Sequence, residues 1–200
     1  MLEAAGFEVH VFPATGAGGR ALEAAVTAGH YAGVLDLTTS ELAEEMVGGL
    51  CSAGPDRLTA AGFRGVPQVV APGGLDAVTF ASADRDAGRA RLQVVINAGR
   101  TLARTTPQEN DRVGRDIALK VSAARGPAAV LLPLRGLSAL DREGAAFWSP
   151  EADRALFQSI RNWIAPSVRL IEADLHINDQ EFARLAADVL AEMVGAAPGR

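Results

Sequence analysis

Residues 13–20, PATGAGGR, place three glycines and a threonine directly before an alanine-rich segment with a helical pattern. The free N–H groups and partial positive charge at a helix N-terminus attract anions, and glycine lets the main chain approach them closely. The stretch therefore predicts phosphate contacts at Thr15, Gly16, Gly18 and Gly19. The alternative is that these glycines only form a tight turn.

The same loop also matches a dinucleotide-binding pattern. Residues 16–21, GAGGRA, fit G-x-G-x-x-G/A, and Asp36 follows Gly16 by twenty residues, the spacing at which an acid binds the ribose of NAD. Asp36 precedes Leu37 within an apolar run, so we expect it inside a strand rather than at its tip. An NAD-dependent oxidoreductase is therefore the weaker alternative. No P-loop motif is present, and the single lysine, Lys120, falls in a predicted helix.

Asp174 and His176 follow the last predicted strand, separated by Leu175. An acid and a histidine at a strand end can form a general-base pair, as a small-molecule ligase or hydrolase would need. His176 can equally be a loop or capping residue. No cysteine and histidine cluster has metal-ligand spacing, so we expect no metal site.

Additional polar groups precede two predicted helices. Thr38 and Thr39 follow one strand, and Arg104 and Thr105 come just before Thr106. Hydroxyl and guanidinium groups bind anions, so these four residues are predicted as secondary phosphate contacts. Simple helix capping by Thr106 explains the second stretch equally well.

Composition restricts the class of protein. The 200 residues can bury a full core, 48% are hydrophobic, and no apolar run has the length of a membrane helix. The net charge is −5, with 18 arginines and one lysine in no basic cluster, so neither nucleic acid nor membrane is expected as a partner. The single cysteine, Cys51, cannot form an internal disulfide, which predicts a reducing, cytoplasmic location.

Strand and helix patterns alternate along the chain. This alternation predicts a single Rossmann-like α/β domain with a doubly wound, mostly parallel sheet and helices on both faces. Residues 75–104 are the least periodic, and we expect an excursion there with one irregular strand. The strands are expected at 8–12, 32–37, 66–71, 128–134 and 168–174, and the helices at 19–28, 41–50, 107–124, 150–163 and after 178.

Capping signals and one long connection complete the sequence pattern. Three pairs of residues have capping-box spacing. They are Thr38 with Glu41, Thr106 with Glu109, and Asn178 with Glu181.

Residues 135–148 form one long connection. It is expected to be either a functional lid or a surface excursion pinned by Phe147 and Trp148.

Several blocks in the same order resemble the C-terminal half of the Tm-one-like ATP-binding family, an uncharacterised two-domain family related to a plant inhibitor of tobamovirus replication. Family members carry an additional N-terminal α/β half with its own glycine-rich loop. The blocks are VFPATGAGGRALEA, AGVLDLTTSELAEEMVGGLCSAGPDRL, GVPQVVAPGGLDAV, LARTTPQEN and HINDQEFA.

The resemblance implies a nucleotide, ATP with or without magnesium, bound between two halves with the threonine-glycine loop near its phosphates. It implies no reaction. Family members tend to have histidine where this chain has Pro13, and His-Asn-Pro where it has 96–98, INA. If those imidazoles take part in chemistry, this chain binds without reacting. Whether it is an enzyme therefore stays open.

The resemblance also bears on assembly. The opening residues 1–6, MLEAAG, look like the end of a helix whose preceding strand pairs inside the sheet, so we expect an uncovered edge or gap. Self-association, or a separate chain that supplies the other half, would cover it. A third interpretation is a non-enzymatic protein-interaction module, as the plant relative is understood to be.

Overall fold

A parallel four-stranded sheet forms the centre of the computed structural model, which describes residues 1–82 and 91–196. The strands are β1 (Val34–Thr38), β2 (Gln68–Gly73), β3 (Ala77–Ala81), β4 (Gln93–Asn97), β5 (Arg100–Arg104), β6 (Ala128–Pro133) and β7 (Arg169–Ala173). The helices are α1 (Ala17–Thr27), α2 (Ser40–Val47), α3 (Ala60–Arg64), α4 (Pro107–Ser122), α5 (Pro150–Trp163) and α6 (Gln180–Ala196), after a 3-10 turn at Glu3–Ala5.

The central sheet has the order β1-β2-β6-β7, and helices cover both of its faces. Alternate residues of β2 and β6 point to opposite faces. On one face Val70 and Val130 pack against α2, α4 and α5. On the other face Val69 and Leu131 pack against α6. The predicted doubly wound α/β class, with a mostly parallel sheet, is confirmed.

The predicted strand at 8–12 is wrong. These residues belong to no strand, and among the described residues no main-chain hydrogen bond involves them. β-propensity alone does not make a strand, because a strand needs a neighbour to pair with. Within the described part of the chain β1 pairs with β2 alone, and a cavity lies between residues 8–12 and β1.

The expectation of one irregular strand at 75–104 is also wrong. This segment holds a second, antiparallel sheet in the order β3-β5-β4. Ala77 pairs with Arg104 and Gln93 pairs with Ala103, so β5 is the central strand. Most of the stretch at 84–91, DRDAGRAR, lies outside the described residues.

One of the three predicted caps is confirmed. Thr106 and Glu109 form a complete capping box with Pro107 in the first turn of α4. Thr38 does not cap α2, whose N-cap is Thr39 without a side-chain cap bond. The third pair is also wrong, because α6 begins at Gln180, two residues beyond the expected Asn178 cap.

No helix in residues 1–82 and 91–196 combines the length and the apolar character needed to cross a membrane.

Candidate functional site

The glycine-rich stretch forms a sharp turn into α1 near the carboxyl end of β1. Gly16 is the residue before α1 and has φ 81°, a conformation that favours glycine. A Cβ on Gly18 would lie 1.8 Å from the Pro13 carbonyl oxygen. A side chain at position 18 therefore has no room, and the tight-turn explanation of this glycine is supported by its packing.

A buried glutamate from α2 holds this turn. Glu41 accepts hydrogen bonds from the N–H of Gly16 at 2.6 Å and of Gly19 at 3.1 Å, both at Oε1. The Glu41 side chain is fully buried. Two of the main-chain donors expected for phosphate therefore already bind a carboxylate of the same chain.

Unlike the N–H groups of Gly16 and Gly19, the first two N–H groups of α1 do not bind Glu41. Among the described residues, none accepts a hydrogen bond from Ala17 or Gly18. Unpaired N–H groups in the first turn of a helix carry its partial positive charge. Ala17 is exposed and Gly18 is buried, so the Ala17 N–H is the part of the predicted loop that is open to an anion.

Arg57 joins the turn to the sheet. Its guanidinium donates to Glu41 Oε2 at 2.6 Å and to both carboxylate oxygens of Asp36, at 2.5 and 2.8 Å. Glu23 of α1 lies 3.4 Å away and also accepts the N–H groups of residues 58–60. Burial alone would lower the pKa of Arg57, but the bonds and charges of Asp36 and Glu41 outweigh it and raise the pKa.

Asp36 lies within β1, as its sequence context predicts. Both of its oxygens bind Arg57, so neither is free to accept a ribose hydroxyl. This arrangement disfavours the dinucleotide fingerprint as an NAD site.

Thr15 and Thr38 are exposed, at the glycine turn and at the end of β1. Thr38 shares the edge of one cavity with Ala14 and Gly19. Thr39 is buried, and its hydroxyl donates to the Ala71 carbonyl at 3.0 Å. Of the two threonines predicted after β1, only Thr38 faces solvent.

Arg104 and Thr105 are buried structural residues. Arg104 donates to the Phe147 carbonyl at 2.8 Å and to Asp153 Oδ1 at 2.6 Å. The Thr105 hydroxyl donates to the Leu75 carbonyl at 2.8 Å and lies 3.1 Å from Asn110 Oδ1. Neither residue has the surface position that a phosphate contact needs.

Three carboxylates, Asp76, Asp141 and Asp153, surround Arg104. Burial raises the pKa of Asp76 and of Asp141 above the usual range. Burial, with the nearby charge of Asp141, raises the pKa of Asp153 to about 7. One oxygen each of Asp76 and Asp141 has no hydrogen-bond partner among the described residues. This cluster can hold protons near neutral pH.

Asp174 and His176 do not form a general-base pair with each other in the described structure. Asp174 accepts two bonds from Arg135, at 2.8 and 2.7 Å, and these bonds lower its pKa. His176 Nδ1 accepts the Asn178 N–H at 3.1 Å, and Nε2 donates to the Ser138 carbonyl at 3.0 Å. Both ring nitrogens are hydrogen-bonded to the main chain. These bonds favour the prediction that His176 is a loop residue.

The long connection at 135–148 is pinned to the core. Phe147 is fully buried, and its carbonyl binds Arg104. Asp141 accepts the Leu137 N–H at 3.0 Å, which closes the first part of the loop. These contacts favour the surface-excursion explanation over a mobile lid.

Sequence reasoning missed Glu41 as a turn ligand and missed Arg57 entirely. Glu41 stood out only through its spacing from Thr38, which indicated a cap. Arg57 lies in the irregular stretch between α2 and α3, where no local pattern marks it. Among the described residues, no group of three histidine, cysteine or acidic side chains is arranged to hold a metal ion.

Comparison with known proteins places the chain in a family. The family described as "Uncharacterised protein family (UPF0261) C-terminal domain" matches residues 1–194. The chain is 44% identical over 196 residues to a UPF0261 protein of Clostridium tetani, a match that covers 96% of this chain and 48% of that protein. It is 42% identical to a UPF0261 protein of Rhizobium meliloti, and this match covers 88% of this chain and 45% of that protein.

A plant protein also matches. The ToMV resistance protein Tm-1(GCR237) of Solanum lycopersicum is 36% identical, over 94% of this chain and 26% of that protein. The chain spans about half the length of the bacterial relatives that it matches. The family resemblance predicted from the sequence blocks is confirmed, and the chain belongs to the UPF0261 C-terminal domain family.

Proposed function

We propose that this chain is one half of a nucleotide-binding protein and that the start of α1 binds the phosphates of ATP. The observation that carries the proposal is the unpaired N–H of the exposed Ala17, in the first turn of α1 and close in sequence to the exposed Thr15. Anions bind at helix N-termini through such groups. Thr38, at the end of β1, borders the same cavity as Ala14 and Gly19 of the turn, and we propose its hydroxyl as a second contact.

The charges around the turn indicate that this half alone binds weakly. Glu23, Asp36 and Glu41 lie beneath the turn with Arg57 as their shared cation. The excess of negative charge opposes a phosphate, although Arg57 offsets part of it. A magnesium ion bound with ATP, or basic groups from the other half, would compensate for the rest.

The nucleotide is more consistent with ATP than with NAD. Arg57 occupies both oxygens of Asp36, so the acid that would select NAD through its ribose is unavailable to a ligand. We do not assign a reaction, since His176 and Asp174 each bind other groups.

Calorimetric titration of Mg-ATP into the chain tests this proposal. Thr15→Val and Thr38→Val each remove an exposed hydroxyl at the turn, and we expect each to weaken binding by about tenfold, roughly 1.4 kcal/mol. Thr27→Val is the matched control, because Thr27 is exposed at the opposite end of α1. Unchanged affinity in both variants, or an equal loss in the control, would overturn the phosphate site.

A protein-interaction role is the second candidate, favoured by the outer strand of the antiparallel sheet. β4 is an edge strand, and Leu92, Val95 and Ile96 on or beside it are exposed. Exposed apolar edges promote pairing with another chain. If two copies associate here, Val95→Asp gives a monomer by light scattering, while Leu119→Asp, at an exposed position on α4, does not change the mass. A wild-type monomer would contradict this candidate.

A further inference from the structure

β1 has an unused hydrogen-bonding edge. The Val34 N–H donates to the Pro67 carbonyl at the β2 side, so the main-chain groups of Leu35 point the opposite way. The register shifts after Asp36, and the Leu37 carbonyl lies against Gly73 of β2. β1 is the end strand of its sheet, and its paired neighbour among the described residues is β2. The outer N–H and C=O groups of β1 are therefore available to a further strand.

Residues 8–12 run beside this edge without pairing to it. Their position is held by Tyr31, whose ring meets the His10 and Phe12 rings edge to face at 5.6 and 6.0 Å. His10 Nδ1 also lies 3.0 Å from the Tyr31 hydroxyl oxygen. The segment is anchored through side chains while its own main chain has no partner in the described structure.

A cavity of about 590 Å³ separates the two unpaired main chains. Its walls are residues 7–14 on one side and 33–38 on the other, with Leu190 and Val194 of α6 at its floor. Val9 and Val11 border the cavity, and Val11 is 86% exposed. A channel with apolar side chains and two rows of free peptide groups matches the chemistry of a β-strand rather than that of a polar ligand.

We propose that an additional β-strand inserts between residues 8–12 and β1, and that the amino-terminal half of the longer relatives supplies it. Such a strand would pair with Leu35 on one side and with residues 8–12 on the other, which would make 8–12 the new edge strand. The matched region covers 48% of the Clostridium tetani relative and 45% of the Rhizobium meliloti relative. About half of each relative therefore lies outside this domain and can provide the strand.

Amide hydrogen exchange measured by NMR tests the insertion. The probes are short synthetic peptides that tile the unmatched part of the Clostridium tetani relative, each added to the 200-residue chain. One apolar peptide should slow exchange at the outward-facing amide of Leu35 by at least about tenfold. The amides of Val34 and Asp36 face β2 and serve as internal controls that should not change.

Two variants make the test specific. Val11→Asp adds a charge at the border of the channel and should lower the affinity of the chain for that peptide by about tenfold or more. Val95→Asp, at a valine that is 66% exposed on β4, should leave its affinity unchanged. Three results would overturn the proposal: protection of Leu35 in the free chain, no protecting peptide, or protection that depends only on the concentration of the chain or on ATP.

Discussion

Arg57 and Arg104 are both buried arginines with three acidic neighbours, yet their surroundings differ. At Arg57 the carboxylates accept several bonds: Glu41 alone receives two main-chain N–H groups and the guanidinium. At Arg104, one oxygen each of Asp76 and Asp141 lacks a partner in the described structure. Burial raises the pKa values of all three carboxyls at Arg104.

The two clusters differ in the number of hydrogen-bond donors that reach their carboxylates, although each contains one arginine. Each hydrogen bond to an ionised carboxylate favours the charged form, and burial favours the neutral form. The Arg57 cluster supplies donors from the glycine turn itself. The same bonds that keep Glu41 satisfied therefore fix the shape of the candidate site.

The largest effect is expected for Arg57→Met. The change leaves Asp36 and Glu41 buried without their shared cation, and breaking such a network costs about 3–5 kcal/mol of unfolding free energy at pH 7. Urea unfolding followed by circular dichroism measures this loss. A loss below about 1 kcal/mol would show that the carboxylates take protons as readily as those around Arg104.

Arg104→Met should cost less, about 2–3 kcal/mol at pH 8, and the cost should shrink as the pH falls to 5. Asp76, Asp141 and Asp153 already have raised pKa values, so protonation can relieve the charge that the missing arginine leaves behind. Unfolding curves at the two pH values measure the difference. A cost that is the same at both would contradict the proton-holding role of the cluster.

Much of the fold followed from local signals. The strands near 34, 68, 128 and 169 are apolar runs of the kind buried on both faces, and α4 begins with the predicted capping box at Thr106. Residues 8–12 have the same local character but lack a neighbour. The three antiparallel strands at 77–104 depend on pairing across the segment, which a scan for helix and strand periodicity does not detect.

The site was less predictable than the fold. The position of the glycine turn could be predicted from its glycines. The main-chain N–H of Gly16 binds Glu41, which lies 25 residues away in the sequence. Arg57 reaches Asp36 across 21 residues. Arg104 and Thr105 looked like surface anion contacts because a helix follows them, but both are buried. Arg104 binds the Phe147 carbonyl and Asp153, and Thr105 binds the Leu75 carbonyl. When two residues that bind each other are this far apart in the sequence, no motif with a fixed spacing predicts their contact.

Asp153→Asn should raise stability by about 1 kcal/mol at pH 8 and change it little at pH 5. The folded-state pKa of Asp153 lies above its unfolded value, so wild-type stability falls as the pH rises from 3.8 towards about 7. Asparagine does not ionise, and its oxygen can still accept the Arg104 bond. Thermal melting across this pH range measures the change.

Asp36→Asn is the matched control for Asp153→Asn. Asp36 uses both oxygens to bind Arg57, so the amide loses one of these bonds and should destabilise the protein at pH 8. Stabilisation by both substitutions would remove the distinction between the two clusters.

The smallest effect is expected at the ion pair of Arg161 and Glu172, which is partly exposed at both ends. Arg161 donates to both oxygens of Glu172, at 2.6 and 3.0 Å, and these bonds lower the pKa of Glu172. The ion pair therefore stabilises the fold fully above pH 4.5, the pKa of Glu172 in the unfolded chain. This stabilisation is lost as the pH falls through the lower pKa of Glu172 in the folded protein. Because water and salt screen exposed charges, Glu172→Gln should cost no more than about 0.5 kcal/mol in urea unfolding. Its cost should also vanish in about 1 M salt, where the screening length is near 3 Å. A loss comparable to that of Arg57→Met would show that bidentate geometry, rather than burial, determines how much an arginine and its carboxylates stabilise this fold.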